Sequence, residues 1–211
     1  MPVMTSHADG SEGQLEAGRQ RMIGYLRSIN DVLARTPMAG RYWIFGGVLL
    51  GYVREHNVLL HDSADSDFAF LAEDLERLEK CIPALVDAGF QPLYRFPGVE
   101  GEAFEWSFRR GDAKLEFFRH DVVGDSFRYY TCGHRDWGAP LGHVYNVYEI
   151  PAQPLEEIRF LDRTWLKPRN ADLQLTAMYG DWRTPNAAWD YMRGPNIVET
   201  HPWNPSTYQL G

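Results

Sequence analysis

Two aspartates, Asp65 and Asp67, stand two residues apart at the start of the apolar run 68–70. Side chains two residues apart on an extended chain point to the same side, so this spacing brings both carboxylates to one face. Carboxylates held together repel each other unless a cation lies between them, and a divalent metal ion bound by oxygen ligands meets that need. The pair therefore predicts a metal site.

A metal site for phosphoryl chemistry usually needs a third carboxylate, which Glu116 or Asp121 could supply. Glu116 lies in the middle of the predicted strand 114–120, where a charge between apolar neighbours needs a partner or a polar cleft. Asp121 comes at the end of that strand and on its other face. We therefore favour Glu116 as the third ligand. A surface carboxylate on an edge strand is the alternative interpretation of Glu116.

Residues that could bind phosphate precede the two aspartates. Gly46 and Gly47 follow an apolar strand and open a helix-like run. Glycine lets the backbone approach a ligand there, and a helix N-terminus offers N–H groups to an anion, although such a pair can also form a plain turn. Arg54 follows about two turns later on nearly the same side of the helix, where it could reach a phosphate or stay solvated. His61 could be a ligand, a general base or a turn residue.

Helices are predicted near both ends of the chain, with strands between them. Apolar residues recur at helical spacing over 14–34 and 73–88, and a further helix is predicted from its N-cap Asn170 to Gly180. Alternating apolar residues between turn signals indicate strands over 90–96, 104–109, 114–120, 127–132 and 144–150. The tail from Thr184 is predicted to wrap irregularly over the surface. This order indicates an α+β fold, in which helices flank one mixed β-sheet and a C-terminal helix precedes the irregular tail.

Length, charge and cysteine content limit the class of protein. The 211 residues suit one domain, and we predict a disordered lead-in over 1–12 and a single domain over 13–211. The net charge of -8 argues against a non-specific nucleic-acid binder, which would carry a basic field. No apolar run approaches membrane-spanning length. Cys81 and Cys132 lie far apart and indicate no disulfide framework, which fits a cytoplasmic protein.

Several stretches of the chain resemble one known family. The opening stretches read GGVLLGYVR over 46–54 and LHDSADSDF over 60–68, and they are similar to the start of the LicD/fukutin family. The strand KLEFF over 114–118 resembles the later strand of that family, which carries the third acidic residue. The run YGDWRTP over 179–185 resembles the family's Tyr-Gly, Trp, Pro ending. Together these motifs cover the chain from about 41 to 197.

The details of these motifs place the chain within the family. Leu60-His61 and the later Trp189-Asp190 favour the fukutin-like branch over the bacterial choline transferases. Ser63 and Ala64 stand where LicD-type members often carry acids, and the third acid is glutamate rather than aspartate. Both changes are compatible with a metal site. The metal affinity and the substrate would then differ from those of the LicD-type members.

The resemblance implies a nucleotidyltransferase-like fold and a defined reaction class. A phosphorylated alcohol, such as choline phosphate or ribitol phosphate, would pass from a CDP-activated donor to a hydroxyl acceptor. The acidic triad of Asp65, Asp67 and Glu116 would be catalytic and would hold Mg²⁺ or Mn²⁺. The residues implied to bind the phosphates or the nucleotide are Gly46, Gly47, Arg54, His61 and Tyr179. Tyr179 would stack on a base or sugar, or else pack the C-terminal helix against the sheet.

Two other functions stay open from the sequence. A nucleotidyltransferase, which moves NMP from an NTP to a small alcohol, sugar or antibiotic, needs the same glycines and acids. Ser63 and Ala64 motivate the other possibility, a non-catalytic domain that binds a nucleotide or a partner. For both enzyme hypotheses the expected partners are a nucleotide-activated small-molecule donor and a hydroxyl acceptor, with no nucleic acid.

Overall fold

The computed structural model describes residues 12–61, 64–97, 103–135 and 142–202. The helices of these ranges are α1 (Glu12–Leu33), α2 (Gly46–Arg54), α3 (Leu75–Asp87) and α4 (Ala171–Tyr179). The strands are β1 (Tyr42–Phe45), β2 (Asp65–Leu71), β3 (Gln91–Pro97), β4 (Ala103–Arg110), β5 (Ala113–Val123), β6 (Ser126–Arg135), β7 (Gly142–Pro151), β8 (Leu155–Phe160), β9 (Arg163–Pro168) and β10 (Ile197–Pro202). Single 3-10 turns cover Ala72–Asp74 and Tyr191–Arg193. The lead-in over 1–11, Asp62, Ser63 and Trp203 lie outside the described residues.

The larger sheet is mixed and branches at its longest strand, β5. The order across it is β1-β2-β5-β6-β7-β10. β4 pairs with the first half of β5, β6 pairs with its last residues, and β3 extends the branch beyond β4. β2 and β5 run parallel, which requires a long crossover, and α3, β3 and β4 supply it. β8 and β9 form a separate hairpin.

Two apolar cores lie on opposite faces of this sheet. The first packs helices against it: α1 presents Met22, Leu26 and Ile29, spaced three or four residues apart, and all three are fully buried. The second core includes the alternate residues of the same strands, among them Trp43 and Phe118, together with side chains of β6 and β7. Within the described residues, no helix is both long enough and apolar enough to cross a membrane.

The α+β fold with a mixed sheet flanked by helices is confirmed. The predicted caps of α4 are present, since Asn170 Oδ1 accepts a hydrogen bond from the Leu173 N–H at 3.1 Å and Gly180 ends the helix at a φ of 69°. The structure also has a strand in the tail, which the sequence did not predict. β10 forms inside the tail and pairs antiparallel with β7, so the tail from Thr184 is irregular only in part.

Candidate active site

The register of two parallel strands assembles the predicted acidic triad. Asp67 on β2 lies opposite Glu116 on β5, and Asp65 lies opposite Lys114. Because residues two apart on a strand share a face, all four side chains are on one face of the sheet. One carboxylate oxygen of each of Asp65, Asp67 and Glu116 lies within 4.8 Å of the others. The three acids chosen from the sequence therefore form one cluster.

The glycine pair at the start of α2 positions Asp67. Gly46 has a φ of +48°, and a Cβ built on it would lie 2.8 Å from Cγ of Asp67 and closer still to Oδ2. The Gly47 N–H donates a hydrogen bond to the same Oδ2 at 3.0 Å. The positive end of α2 thus already binds one anion, the carboxylate of Asp67. Phosphate binding by the two glycines stays a prediction.

Two further residues hold the buried carboxylate of Glu116, whose side chain is 6% exposed. The Lys114 ammonium lies 2.7 Å from Glu116 Oε2 and 3.3 Å from Asp65 Oδ2. The Tyr94 hydroxyl on β3 donates a hydrogen bond to Glu116 Oε1. Neither Lys114 nor Tyr94 was predicted from the sequence as part of the site. The position of Lys114 could have been predicted from the sequence, because Lys114 precedes Glu116 by two residues and therefore lies on the same face of the strand.

A second buried glutamate, Glu105 on β4, is hydrogen-bonded to Glu116 and is 3% exposed. Burial and the negative charge of Glu116 raise the pKa of Glu105 well above its ordinary value, which favours the protonated form of Glu105 as the donor of this bond. Burial alone would also raise the pKa of Glu116. The Lys114 charge and the hydrogen bonds from Glu105, Lys114 and Tyr94 outweigh burial and hold that pKa below its ordinary value.

The two neighbouring glutamates therefore have pKa values shifted in opposite directions. The lowered pKa of Glu116 favours the ionised form, which can bind a cation, while the raised pKa of Glu105 favours the neutral form, which can donate to Glu116. Ser107 lies directly opposite Glu116 on β4, and its buried hydroxyl makes no hydrogen bond with any described residue. Neither Glu105 nor Ser107 was linked to the acids from the sequence, although the Gly111-Asp112 turn between two alternating strands indicates the β4–β5 hairpin that sets these contacts.

The other predicted binding residues lie in different surroundings. The Arg54 guanidinium donates a hydrogen bond to the Trp182 carbonyl at 3.3 Å, and His61 is exposed in the turn before residue 62. The Tyr179 ring packs against the Trp189 ring, with 4.6 Å between the ring centroids. Arg54 and Tyr179 therefore contact the chain that follows α4. Their roles in phosphate or nucleotide binding stay predictions, and so does the role of His61.

The cluster fits a hard divalent cation such as Mg²⁺ or Mn²⁺. All three of its charged groups supply carboxylate oxygen, the ligand that these ions prefer, at mutual distances that one ion can bridge. Gly46 leaves the space that the Asp67 carboxylate occupies, and a side chain at residue 46 would fill it. The glycine thus allows Asp67 to stay close to the other two acids. Asp65 has a 39% exposed side chain, so the cluster opens to solvent on the side of Asp65. A ligand could approach the cluster from that side.

Comparison with known protein families matches residues 40–170 to "LicD/FKTN/FKRP, nucleotidyltransferase domain". The matched range contains the glycine pair, the acidic triad, Glu105 and Lys114. No curated protein matches the chain. The resemblance inferred from the sequence motifs is confirmed at the level of the family, while the fukutin-like branch stays a prediction. Because the match covers well over half of the 211 residues, this chain belongs to the LicD/FKTN/FKRP family of nucleotidyltransferase domains.

Proposed function

We propose that this protein transfers a phosphorylated alcohol, such as choline phosphate or ribitol phosphate, from a CDP-activated donor to a hydroxyl acceptor. The LicD family is of the phosphotransferase type, and its members are transferases that are typically metal-dependent. The observation that carries the proposal is the cluster of Asp65, Asp67 and Glu116, whose oxygens approach within 4.8 Å of one another. In this domain family, such a cluster suits the binding of a pyrophosphate through Mg²⁺ or Mn²⁺.

In the proposed reaction, the acceptor oxygen forms a bond to the β-phosphorus of the donor. The bond between that phosphorus and the oxygen that bridges to CMP breaks, and CMP leaves with the bridging oxygen. The proton of the acceptor hydroxyl passes to a nearby carboxylate or to water, and Asp67 and Glu116 are the two candidate carboxylates. A divalent ion, when bound, would neutralise the charge that develops on the phosphoryl oxygens.

The protein contributes by fixing the orientation of two carboxylates before the substrate arrives. Gly47 orients Asp67 through a backbone N–H, while Glu105 and Tyr94 orient Glu116 through hydrogen bonds. Such preorganisation avoids the cost of rearranging dipoles during the reaction. The open side next to Asp65 is where we place the pyrophosphate of the donor.

The products of the reaction test this proposal. We expect that incubation with Mg²⁺, CDP-choline or CDP-ribitol and a pool of hydroxyl acceptors releases CMP, measured by chromatography. Asp65→Asn and Asp67→Asn should each lower the rate by at least about 100-fold, because each removes one charged ligand. Asp121→Asn is the matched control. It lies on the same strand as Glu116 but pairs with Arg119 at 3.0 Å, so its rate should stay unchanged.

Other products would contradict the proposal. Release of pyrophosphate from CTP or ATP, with NMP attached to the acceptor, would instead identify a nucleotidyltransferase. Binding of Mn²⁺ and CDP without CMP or pyrophosphate release from any of these substrates would favour a non-catalytic binding domain. Full activity in Asp65→Asn or Asp67→Asn would exclude the metal site as the catalytic centre.

A further inference from the structure

Lys114 is a cation that the protein itself places among the proposed metal ligands. Its ammonium lies 2.7 Å from Glu116 Oε2 and 3.3 Å from Asp65 Oδ2. The Tyr94 hydroxyl is 3.5 Å from the same nitrogen. Two of the three acids that would bind a divalent ion therefore also bind Lys114.

A divalent ion and this ammonium cannot both stay close to the same two carboxylates at low cost. Oxygen ligands bind such ions at about 2.1 Å, so an ion on the oxygen that Lys114 contacts would lie within about 5 Å of Lys114 Nζ, where a double and a single positive charge repel. Asp65 and Glu116, the two acids that Lys114 contacts, are also two of the three candidate ligands of the ion. The two cations therefore compete for the same carboxylates.

The geometry of Lys114 allows the ammonium to leave. Its Cα is fixed by the strand pairing opposite Asp65, but four flexible methylene groups separate that Cα from the ammonium. The side chain is 35% exposed and lies on the same open side as Asp65. Rotation of the side chain can therefore carry the charge outwards without any change in the sheet.

We propose that Lys114 neutralises the carboxylate cluster until a divalent ion binds, and that the ion then displaces its ammonium, which binds a phosphate oxygen of the donor instead. Glu116 is buried and would be unstable as an uncompensated charge, so the folded protein is more stable when one of the two cations is present. The displaced ammonium moves away from the ion but stays on a flexible side chain of β5, within reach of the phosphates that the ion would bind. The phosphate contact rests on the proposed function, whereas the displacement does not.

A crystal structure of the wild-type protein with Mn²⁺ tests the displacement directly. We expect the anomalous signal of Mn²⁺ at Asp65, Asp67 and Glu116, with Lys114 Nζ beyond hydrogen-bond distance of the carboxylates. Lys114 still bonded to both Asp65 and Glu116 beside a bound Mn²⁺ would overturn the proposal. This experiment needs no substrate and no variant that has to fold.

Thermal unfolding in EDTA and in saturating Mn²⁺ tests the same step in solution. We expect Lys114→Met to unfold at a lower temperature than wild type in EDTA, and the difference to vanish in Mn²⁺. Its Kd for Mn²⁺, measured by calorimetry, should be about tenfold lower, because no ammonium competes for the oxygens. Lys80→Met makes the same substitution on α3, where Lys80 pairs with Glu76, and should not alter Mn²⁺ binding. A deficit of Lys114→Met that persists in Mn²⁺ would contradict the displacement.

The phosphate contact is tested by the affinity for CDP in saturating Mn²⁺. We expect Lys114→Met to weaken CDP binding about tenfold and Lys114→Arg to retain most of it, because arginine keeps a positive charge that binds phosphate. Unchanged CDP affinity in Lys114→Met would overturn this part. Since neither measurement monitors catalysis, failure here is distinct from failure of the proposed reaction, which CMP release reports.

Discussion

Gly46 and Asp67 approach so closely that the acid depends on the absence of a side chain at the glycine. A Cβ at Gly46 would lie 2.8 Å from Cγ of Asp67, and the φ of +48° is one that other residues rarely adopt. The same turn brings the Gly47 N–H to the carboxylate. The glycine pair, which the sequence suggested for phosphate binding, therefore has a structural role in the acidic cluster.

We expect Gly46→Ala to weaken Mn²⁺ binding by at least about tenfold, since the new methyl group must push Asp67 out of the cluster. Backbone strain at the positive φ should lower the free energy of unfolding by about 1–2 kcal/mol. Calorimetry with Mn²⁺ and urea unfolding measure the two effects. Gly24→Ala in α1 is the control, because a Cβ there meets nothing within 4 Å. Normal Mn²⁺ affinity in Gly46→Ala would contradict the assigned role of the close contact.

The protonation states of the two glutamates lead to a second expectation. Glu105→Gln replaces a neutral hydrogen-bond donor by another one, so its Kd for Mn²⁺ should stay within about threefold of wild type at pH 7. Glu116→Gln removes a charged ligand and should raise that Kd by more than about tenfold. Equal losses in both variants would show that Glu105 is ionised and acts as a ligand too. Circular dichroism checks that both variants are folded.

At the scale of residues, the sequence predicted that the three acids lie close together but did not predict the residues that contact them. The alternation of side chains along one strand is a local property, so Asp65 and Asp67 could be paired from their spacing alone. Tyr94 reaches Glu116 from β3, beyond β4, and no local pattern specifies that contact, whereas Glu105 reaches Glu116 through the β4–β5 hairpin. The preference for Glu116 over Asp121 agrees with the clustering, because Asp121 pairs with Arg119 instead.

Among the structural elements, β10 and the 3-10 turn before it are held by a polar network on β7. The Tyr148 hydroxyl donates to the Tyr191 carbonyl at 2.9 Å, and Asn146 Nδ2 donates to the Tyr148 hydroxyl at 3.1 Å. Thr200 donates from β10 to Asn146 Oδ1 at 2.7 Å. These side-chain contacts between distant segments explain why the tail forms a strand although its own sequence is rich in proline.

We expect Tyr148→Phe to lower the free energy of unfolding by about 1–2 kcal/mol, because the Tyr191 carbonyl and the Asn146 amide lose a hydrogen-bond partner. Tyr145→Phe is a matched control on the same strand. Its ring stacks on His201 with 4.9 Å between centroids, and phenylalanine preserves that contact. Urea unfolding monitored by fluorescence compares the two variants. Equal stability of both would show that the hydroxyl of Tyr148 does not anchor the C-terminal segment.

The helices were predictable to within a few residues, since their signals lie within their own segments. α1 follows the recurrence of apolar residues, and α4 follows its cap residues. α3 continues through Pro83, which lies inside the helix. β10 could not be predicted in the same way, because its stability comes from β7, about fifty residues earlier in the chain.

At the scale of the whole molecule, His120 is a titratable side chain that lies buried among aromatic residues of the second core. It is 0% exposed and is surrounded by Trp43, Phe45, Phe127 and Tyr129. Its Nδ1 lies 3.1 Å from the Phe118 carbonyl oxygen, while Nε2 has no hydrogen-bond partner in the described part of the chain. Burial lowers the pKa of His120 to about 3, so the ring is neutral in the folded protein.

This burial should make folding sensitive to acid. The unfolded chain takes up a proton below pH 6.5 whereas the folded His120 does so only near its pKa of about 3. Its contribution to stability is therefore complete above pH 6.5 and is lost as the pH falls, by about 1.4 kcal/mol per pH unit. His120→Phe should show a shallower loss of unfolding free energy between pH 6.5 and 4, measured by urea unfolding. An unchanged slope would mean that other groups determine the acid sensitivity.

The branching of the sheet at β5 has a consequence for how the molecule can open. β5 has β2 on one side and β4 followed by β6 on the other, so few of its amides can exchange with solvent through local fluctuations. Glu116 sits in the middle of this strand, while Asp65 is the first residue of β2. Fraying of the β2 terminus can therefore release Asp65 alone. Glu116 can leave the site only when both branches of the sheet come apart together.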